Sequence, residues 1–108
     1  MGINRNLIVT IIKKGWGETV VQASLKAGAE GGTILFGRGV GIHERQQFLG
    51  IPIEPEKEVI FSVTTPDKTD SILAAIVQAA SLDKPGRGIA FVIPVERVVG
   101  CVHESGEC

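Results

Sequence analysis

An α+β sandwich of βαββαβ order is the fold the sequence predicts, and three observations predict it. Segments rich in β-branched and apolar residues fall at 7–12, 33–36, 59–64 and 89–99. Two stretches with apolar residues at helical spacing, 18–27 and about 65–81, lie between the first and second and between the third and fourth of these. Turn residues, mostly glycine, separate the elements. Two helices crossing over a four-stranded antiparallel sheet make the ferredoxin-like arrangement. At 108 residues the chain is a single domain, 1–108, with a core but little margin for a second lobe.

Taken in order, Leu7 to Ile12 (L-I-V-T-I-I) is almost wholly apolar, as a strand covered on both faces would be. Lys13, Lys14 and the triplet Gly15-Trp16-Gly17 end it. Glu18 to Ala27 carries Val21 and Leu25 at i, i+4, with Val20 and Ser24 beside them, a short amphipathic helix closed by Gly28. Trp16 reads as a partly buried cap over that helix, without an assigned function. Thr33 to Phe36 is the second strand, stopped by Gly37-Arg38-Gly39-Val40-Gly41. From there to about Glu56, charges, amides and two prolines follow no period, so a long loop is expected over roughly 37–56.

Val59 to Thr64 is the third strand. Thr65-Pro66-Asp67 has the form of a helix start, with Thr65 as N-cap and Pro66 at the first helical position. Ile72, Ile76 and Ala80 mark the inner face of that helix, widened by Leu73 and Val77, and it ends near Ser81. Ile89 to Ile93 and Val95 to Val99 are two further strand pieces parted by Pro94, the second free to pair elsewhere. A sheet with helices on one side leaves the other side bare, and these strands are too apolar to show it to water. A closed oligomer of identical chains is therefore expected.

Composition excludes several function classes. The formal charge is −1 and aromatic residues are 5% of the chain, so neither the positive field nor the stacking platforms of a nucleic-acid binder are present. No apolar run approaches the roughly 18 residues needed to cross a bilayer. Residues Met1 to Asn6 lack the charged-then-apolar pattern of a secretion signal, which points to the cytoplasm. No nucleophile–base pair and no paired carboxylates stand at a suggestive spacing, so no enzyme is expected and no cofactor is required.

The segment Asp83 to Val99 (D-K-P-G-R-G-I-A-F-V-I-P-V-E-R-V-V) is the most informative. Gly86 and Gly88 flank Arg87 directly before a β run. Such a turn can present several N–H groups and one planar guanidinium to a phosphate or carboxylate. The same residues also suit a hairpin turn whose arginine points into solvent.

Order and motifs together resemble the PII signalling family and its PII-like relatives over nearly the whole chain. The matching residues are Phe36-Gly37-Arg38, Thr65-Pro66-Asp67, Gly86-Arg87-Gly88, Phe91-Val92 and Val95-Glu96-Arg97-Val98. The resemblance implies a homotrimer of ferredoxin-like subunits, a divergent member that binds an adenine nucleotide (ADP, AMP or ATP) in clefts between subunits. It places ligand contacts at Gly37, Arg38, Gly86, Arg87 and Gly88. It also implies that the long loop, the T-loop of that family, reports the ligand state to a partner such as a membrane transporter or an enzyme, so that the protein is recruited to the membrane by what it binds.

Departures from the family pattern bear on the ligand. Where PII proteins carry G-D-G-K, this chain has Gly86-Arg87-Gly88-Ile89, so the lysine is an isoleucine. A further phosphate-facing lysine falls at Glu58, with Lys57 next to it, and two arginines of the last strand fall at Gly100 and Val102. Arg38 and Arg87 then remain as the cations of the expected site. Each lost charge-assisted contact is worth about 1.5–3 kcal/mol. A less charged nucleotide or another small anion is accordingly expected to compete with ATP.

The loop contains no tyrosine, and neither does the rest of the chain, which excludes uridylylation on tyrosine. It offers His43, Glu44 and Arg45, then Phe48 and Leu49, a charged half followed by an apolar half that suits ordering on a partner. An ordinary solvated loop with Phe48 and Leu49 tucked back has the same composition. In the tail 101–108, Cys101 and Cys108 can close as a reversible redox pair, similar to PII-like proteins of bicarbonate transport, or stand as a buried strand cysteine and a terminal thiol. No C-x-x-C or H-x-x-x-H spacing accompanies them, so no metal site is expected. The alternative function of the same fold is a trimer of the CutA type, which handles metal without nucleotide control.

Overall fold

The computed structural model describes residues 4–40, 46–53 and 55–100. Strands β1 (Arg5–Lys13), β2 (Gly31–Arg38), β5 (Glu56–Thr64) and β6 (Gly88–Val95) form one antiparallel sheet in the order β2-β5-β1-β6. Helices α1 (Gly17–Lys26) and α2 (Thr69–Ala80) connect β1 to β2 and β5 to β6. This is the βαββαβ order, with a two-stranded hairpin, β3 (Gln46–Phe48) and β4 (Ile51–Ile53), inserted between β2 and β5.

The core lies between the helices and one face of the sheet. Alternate residues of the two central strands, Ile8 and Ile12 of β1 and Ile60 of β5, meet Val20 of α1 and Ile72, Ile76 and Ala80 of α2, all of them buried. Each such aliphatic side chain contributes about 1.5–3 kcal/mol on burial. The Ile72, Ile76, Ala80 stripe is the face that the sequence predicts for α2. In α1 the buried residues are instead Gly17, Val20 and Ser24. Val21 is half-buried and Leu25 is 42% exposed, so the inner face is turned from the expected one. Val21 lies against β2, where a Cβ on Gly32 would stand 3.3 Å from its Cγ1.

Four local expectations need correction. Strand β2 is longer than 33–36, because Gly31 and Gly32 pair with Val63 and Ser62, and Gly37 and Arg38 with Lys57 and Glu56. The region expected to be an aperiodic loop contains the β3–β4 hairpin, paired through Gln46 and Ile53, Gln47 and Pro52, and Phe48 and Ile51. Leu49 and Gly50 turn it with φ of 53° and 83°, the positive angles a tight two-residue hairpin connection requires. Thr65 makes no side-chain capping bond, and a 3-10 turn over Pro66–Lys68 precedes α2. Thr69 Oγ1 donates to the Thr65 carbonyl at 2.8 Å there. Finally, β6 runs unbroken through Pro94, which pairs with Asn6, and ends at Val95, so 95–99 is no separate strand. Strand β6 is an edge strand, where the missing N–H of proline can face outward.

The face of the sheet away from the helices is apolar. Across it, Leu35, Val59, Ile11 and Ile89 stand in one row, and Thr33, Phe61, Val9 and Phe91 in the next. Leu35, Ile89, Phe91 and Ile93 are each 41–57% exposed. Among the described residues no helix is long and apolar enough to cross a membrane.

Candidate functional site

Four strand ends build a cleft at one margin of this bare face. Gly37, Arg38, Gly39 and Val40 leave β2 along one side, Gly88 and Ile89 begin β6 on the other, and β5 and β1 lie between them. The space they enclose is about 320 Å³. Its floor is apolar, from Ile11, Val59 and Ile89, and its cations are Arg38 and Lys57.

The position of Lys57 follows from strand alternation. Lys57 pairs with Gly37 and Lys13, and it shares with Val59 the face away from the helices. Glu58 must then point to the helical side, where its Oε1 accepts the Gly17 amide at 2.5 Å. A buried carboxylate thus sits on the first turn of α1, favoured by the unpaired amides and the positive end of the helix dipole. Adjacent charges in the run Glu56-Lys57-Glu58 therefore serve opposite faces, and the lysine is the one at the cleft.

Gly88 closes the other side by a near approach. Its φ is +139°, and a Cβ there would lie 2.4 Å from the Ile11 carbonyl oxygen and 2.8 Å from Ile12 Cγ2. Only glycine lets β6 start flush against β1 at this point.

Arg87 lies one residue from the cleft but is held on the helical side. Its guanidinium stands 4.3 Å from the centroid of the Trp16 ring. Its Nε donates to the Ala80 carbonyl, at the end of α2, at 3.2 Å. A cation over a partly exposed indole is worth about 0.5–2 kcal/mol, and a cation at a helix C-terminus adds about 0.3–1 kcal/mol. These contacts link the β1–α1 turn to the α2–β6 turn.

The structure thus brings Gly37, Arg38 and Gly88 to one cleft, while Gly86 and Arg87 stand outside its lining. Two residues gain a place that sequence reasoning did not assign. The facing of Lys57 follows from the alternation of β5 once its register is known, and the place of Trp16 only from the contact between the β1–α1 and α2–β6 turns. In the loop, Leu49 is 86% exposed at the hairpin tip, so it is not tucked back. His43, Glu44 and Arg45 lie outside the described residues, as do Cys101, Cys108 and the rest of the tail. The side chain of Phe48 is also outside them.

A model of the family described as nitrogen regulatory protein P-II matches residues 5–104 of the chain. The match takes in both helices, all four strands of the sheet, the inserted hairpin and every residue of the cleft. With the antiparallel sheet and two crossing helices already in place, this chain belongs to the PII family.

Proposed function

We propose that the chain is a PII-type regulator that senses an adenine nucleotide (AMP, ADP or ATP) or another small anion in the cleft and signals through the inserted hairpin. Proteins of this family are regulatory rather than enzymatic, act as trimers and bind partners. One observation carries the reading: residues 37–40 both line the cleft and form the base of the segment that leads to the hairpin. A ligand seated against Arg38 and Lys57 therefore touches the strand end from which the hairpin departs. Its charge and size bias the loop by differential contact, without covalent chemistry.

The same reading gives the bare sheet face an occupant. Burying Leu35, Ile89, Phe91 and Ile93 against copies of the chain builds the homotrimer, and the effector cleft then falls at or near the seams between subunits. The partner is a transporter or an enzyme met in the cytoplasm or at the membrane surface, and nucleic acid is not among the ligands.

Thermal unfolding against AMP, ADP and ATP tests it. A nucleotide held at 100 times its dissociation constant stabilises the fold by about 2.7 kcal/mol. That stabilisation is expected in the native chain and lost in Arg38→Ala. A shift that persists undiminished in Arg38→Ala would refute the assignment of the cleft, and no shift with any of the three would exclude the adenine nucleotide and leave the other small anion as the effector.

A further inference from the structure

The turn Gly15-Trp16-Gly17 holds two side chains, and each stands next in sequence to a residue of the cleft lining. The Gly17 amide donates to Glu58 Oε1 at 2.5 Å, and Glu58 follows Lys57. The Trp16 ring receives the Arg87 guanidinium at 4.3 Å, and Arg87 precedes Gly88. One turn thus grips both β5 and the start of β6, strands that lie on either side of β1 in the sheet. The turn is itself well tied. The Trp16 amide donates to the Lys13 carbonyl at 3.2 Å, the Lys14 amide donates to the Glu56 carbonyl at 3.2 Å, and the Trp16 carbonyl accepts the Val20 amide at 3.1 Å.

The two gripped residues differ in how the sheet holds them. Glu58 lies within β5, where it pairs with Ile12 on one side and Phe36 on the other. Arg87 stands just outside the ladder, whose last pair at this end is Gly88 with Ile12. Gly86 and Gly88 flank it with φ of 78° and 139°, so the backbone has the freedom of glycine on both sides. What fixes Arg87 is its side chain, through the Trp16 ring and the Ala80 carbonyl, which accepts its Nε–H at 3.2 Å.

We propose that Trp16 is a positioning residue of the cleft: its ring pins Arg87 and so sets the course of the turn 86–88, and with it the wall that begins at Gly88, before a ligand arrives. This role rests on the proposed reading of the cleft as an anion site. It does not depend on what a second copy adds there, because the wall at Gly88 and Ile89 belongs to this chain. A wall already in place needs no ordering when the ligand binds, whereas a loose one must be ordered at that moment. Trp16 lines no part of the cleft and acts through Arg87.

Isothermal titration with AMP, ADP, ATP and inorganic phosphate tests this on the native chain, Trp16→Leu, Trp16→Phe, Arg87→Gln and the double variant of Trp16→Leu with Arg87→Gln. Trp16→Leu and Arg87→Gln are each expected to weaken whichever probes the native chain binds by about tenfold, the cation–ring contact expressed as a ratio of affinities. The double variant is expected to lose no more than Arg87→Gln alone, since both changes cut the same contact. Trp16→Phe keeps a ring face and should bring affinity back to within about threefold of native. Amide hydrogen exchange followed by NMR should quicken at residues 86–88 in Trp16→Leu while the central residues of β1 and β5 keep their protection. A merely structural role of Trp16 would instead quicken exchange throughout α1 and β1 and leave the affinity of the folded protein unchanged.

Should Trp16→Leu fail to fold, Arg87→Gln cuts the same contact from the other end, with the same losses expected in affinity and in protection at 86–88. Additive losses in the double variant would mean that Trp16 acts by a route other than Arg87, and would overturn the proposal. Native affinity in both single variants, or native exchange at 86–88, would overturn it as well. In these cases the cleft reading survives, because the native chain still binds. Absence of binding of all four probes to the native chain overturns both.

Discussion

The amide of Gly17 donates to Glu58 Oε1 at 2.5 Å, joining the first residue of α1 to the third residue of β5. This bond decides what Glu58 does. It stands where the family pattern would put a phosphate-facing lysine, yet its carboxylate is spent on the helix, and its neighbour Lys57 lines the cleft.

Glu58→Gln keeps an acceptor for the Gly17 amide but removes the charge from the helix start. A loss of about 1–2 kcal/mol is expected from the charge-assisted bond and the dipole together. Glu58→Lys buries an unpaired cation at the positive end of α1 and should cost about 3–5 kcal/mol. Denaturant unfolding measures both. The lysine variant is also expected to gain no affinity for ATP. A gain would mean that position 58 faces the cleft after all.

Gly88→Ala tests how the cleft wall is made. The added Cβ would meet the Ile11 carbonyl at 2.4 Å, and that neighbour is backbone paired on both sides, with Val59 and Ile89, so it cannot swing aside. The φ of +139° adds strain of its own. A loss of about 2–4 kcal/mol is expected, combining roughly 1–3 kcal/mol of backbone strain with displacement of β6. Comparison with Gly39→Ala, whose Cβ would meet nothing within 4 Å, isolates the effect. Equal melting temperatures for the two variants would show that β6 can start away from β1 without cost.

The helix α2 and the four strands of the main sheet were legible because their patterns are local: Ile72, Ile76 and Ala80 recur at helical spacing, and Val59 to Thr64 is rich in β-branched residues. The inner face of α1 was not, since Gly17 and Ser24 carry no hydrophobic signal, and Gly17 is enclosed by Glu58 and by Ile34 of β2. The same holds for the site. Gly88 was read from turn chemistry, which is encoded in neighbouring residues, and Gly37 and Arg38 from the resemblance to the family. The facing of Lys57 depends on strand register, and the capture of Arg87 by Trp16 joins residues 71 positions apart in sequence. Neither is written in any single segment. Pro94 misled for a related reason: its effect on a strand depends on whether the strand is an edge, and only the sheet order shows that.

Deletion of Arg45 to Ile53 should separate signalling from sensing. The base of the inserted segment is closed by the sheet itself, with Arg38 paired to Glu56 and the Gly39 amide donating to the Pro55 carbonyl at 3.2 Å. Cleft and core lie on the sheet side of that closure, and a shorter connection costs little to close. The deleted protein is expected to keep the native assembly by light scattering and its nucleotide affinity within about twofold, as no cleft residue is removed. Partner capture from native extract should be abolished. A milder change sharpens the point: Leu49 holds a positive φ that costs a side-chain residue about 1–2 kcal/mol, while leaving an apolar side chain 86% exposed. Leu49→Gly relieves the backbone and removes the side chain, so the hairpin should persist while partner binding weakens. If the deletion instead disperses the assembly, the hairpin is part of the subunit interface, and the signalling role assigned to it falls.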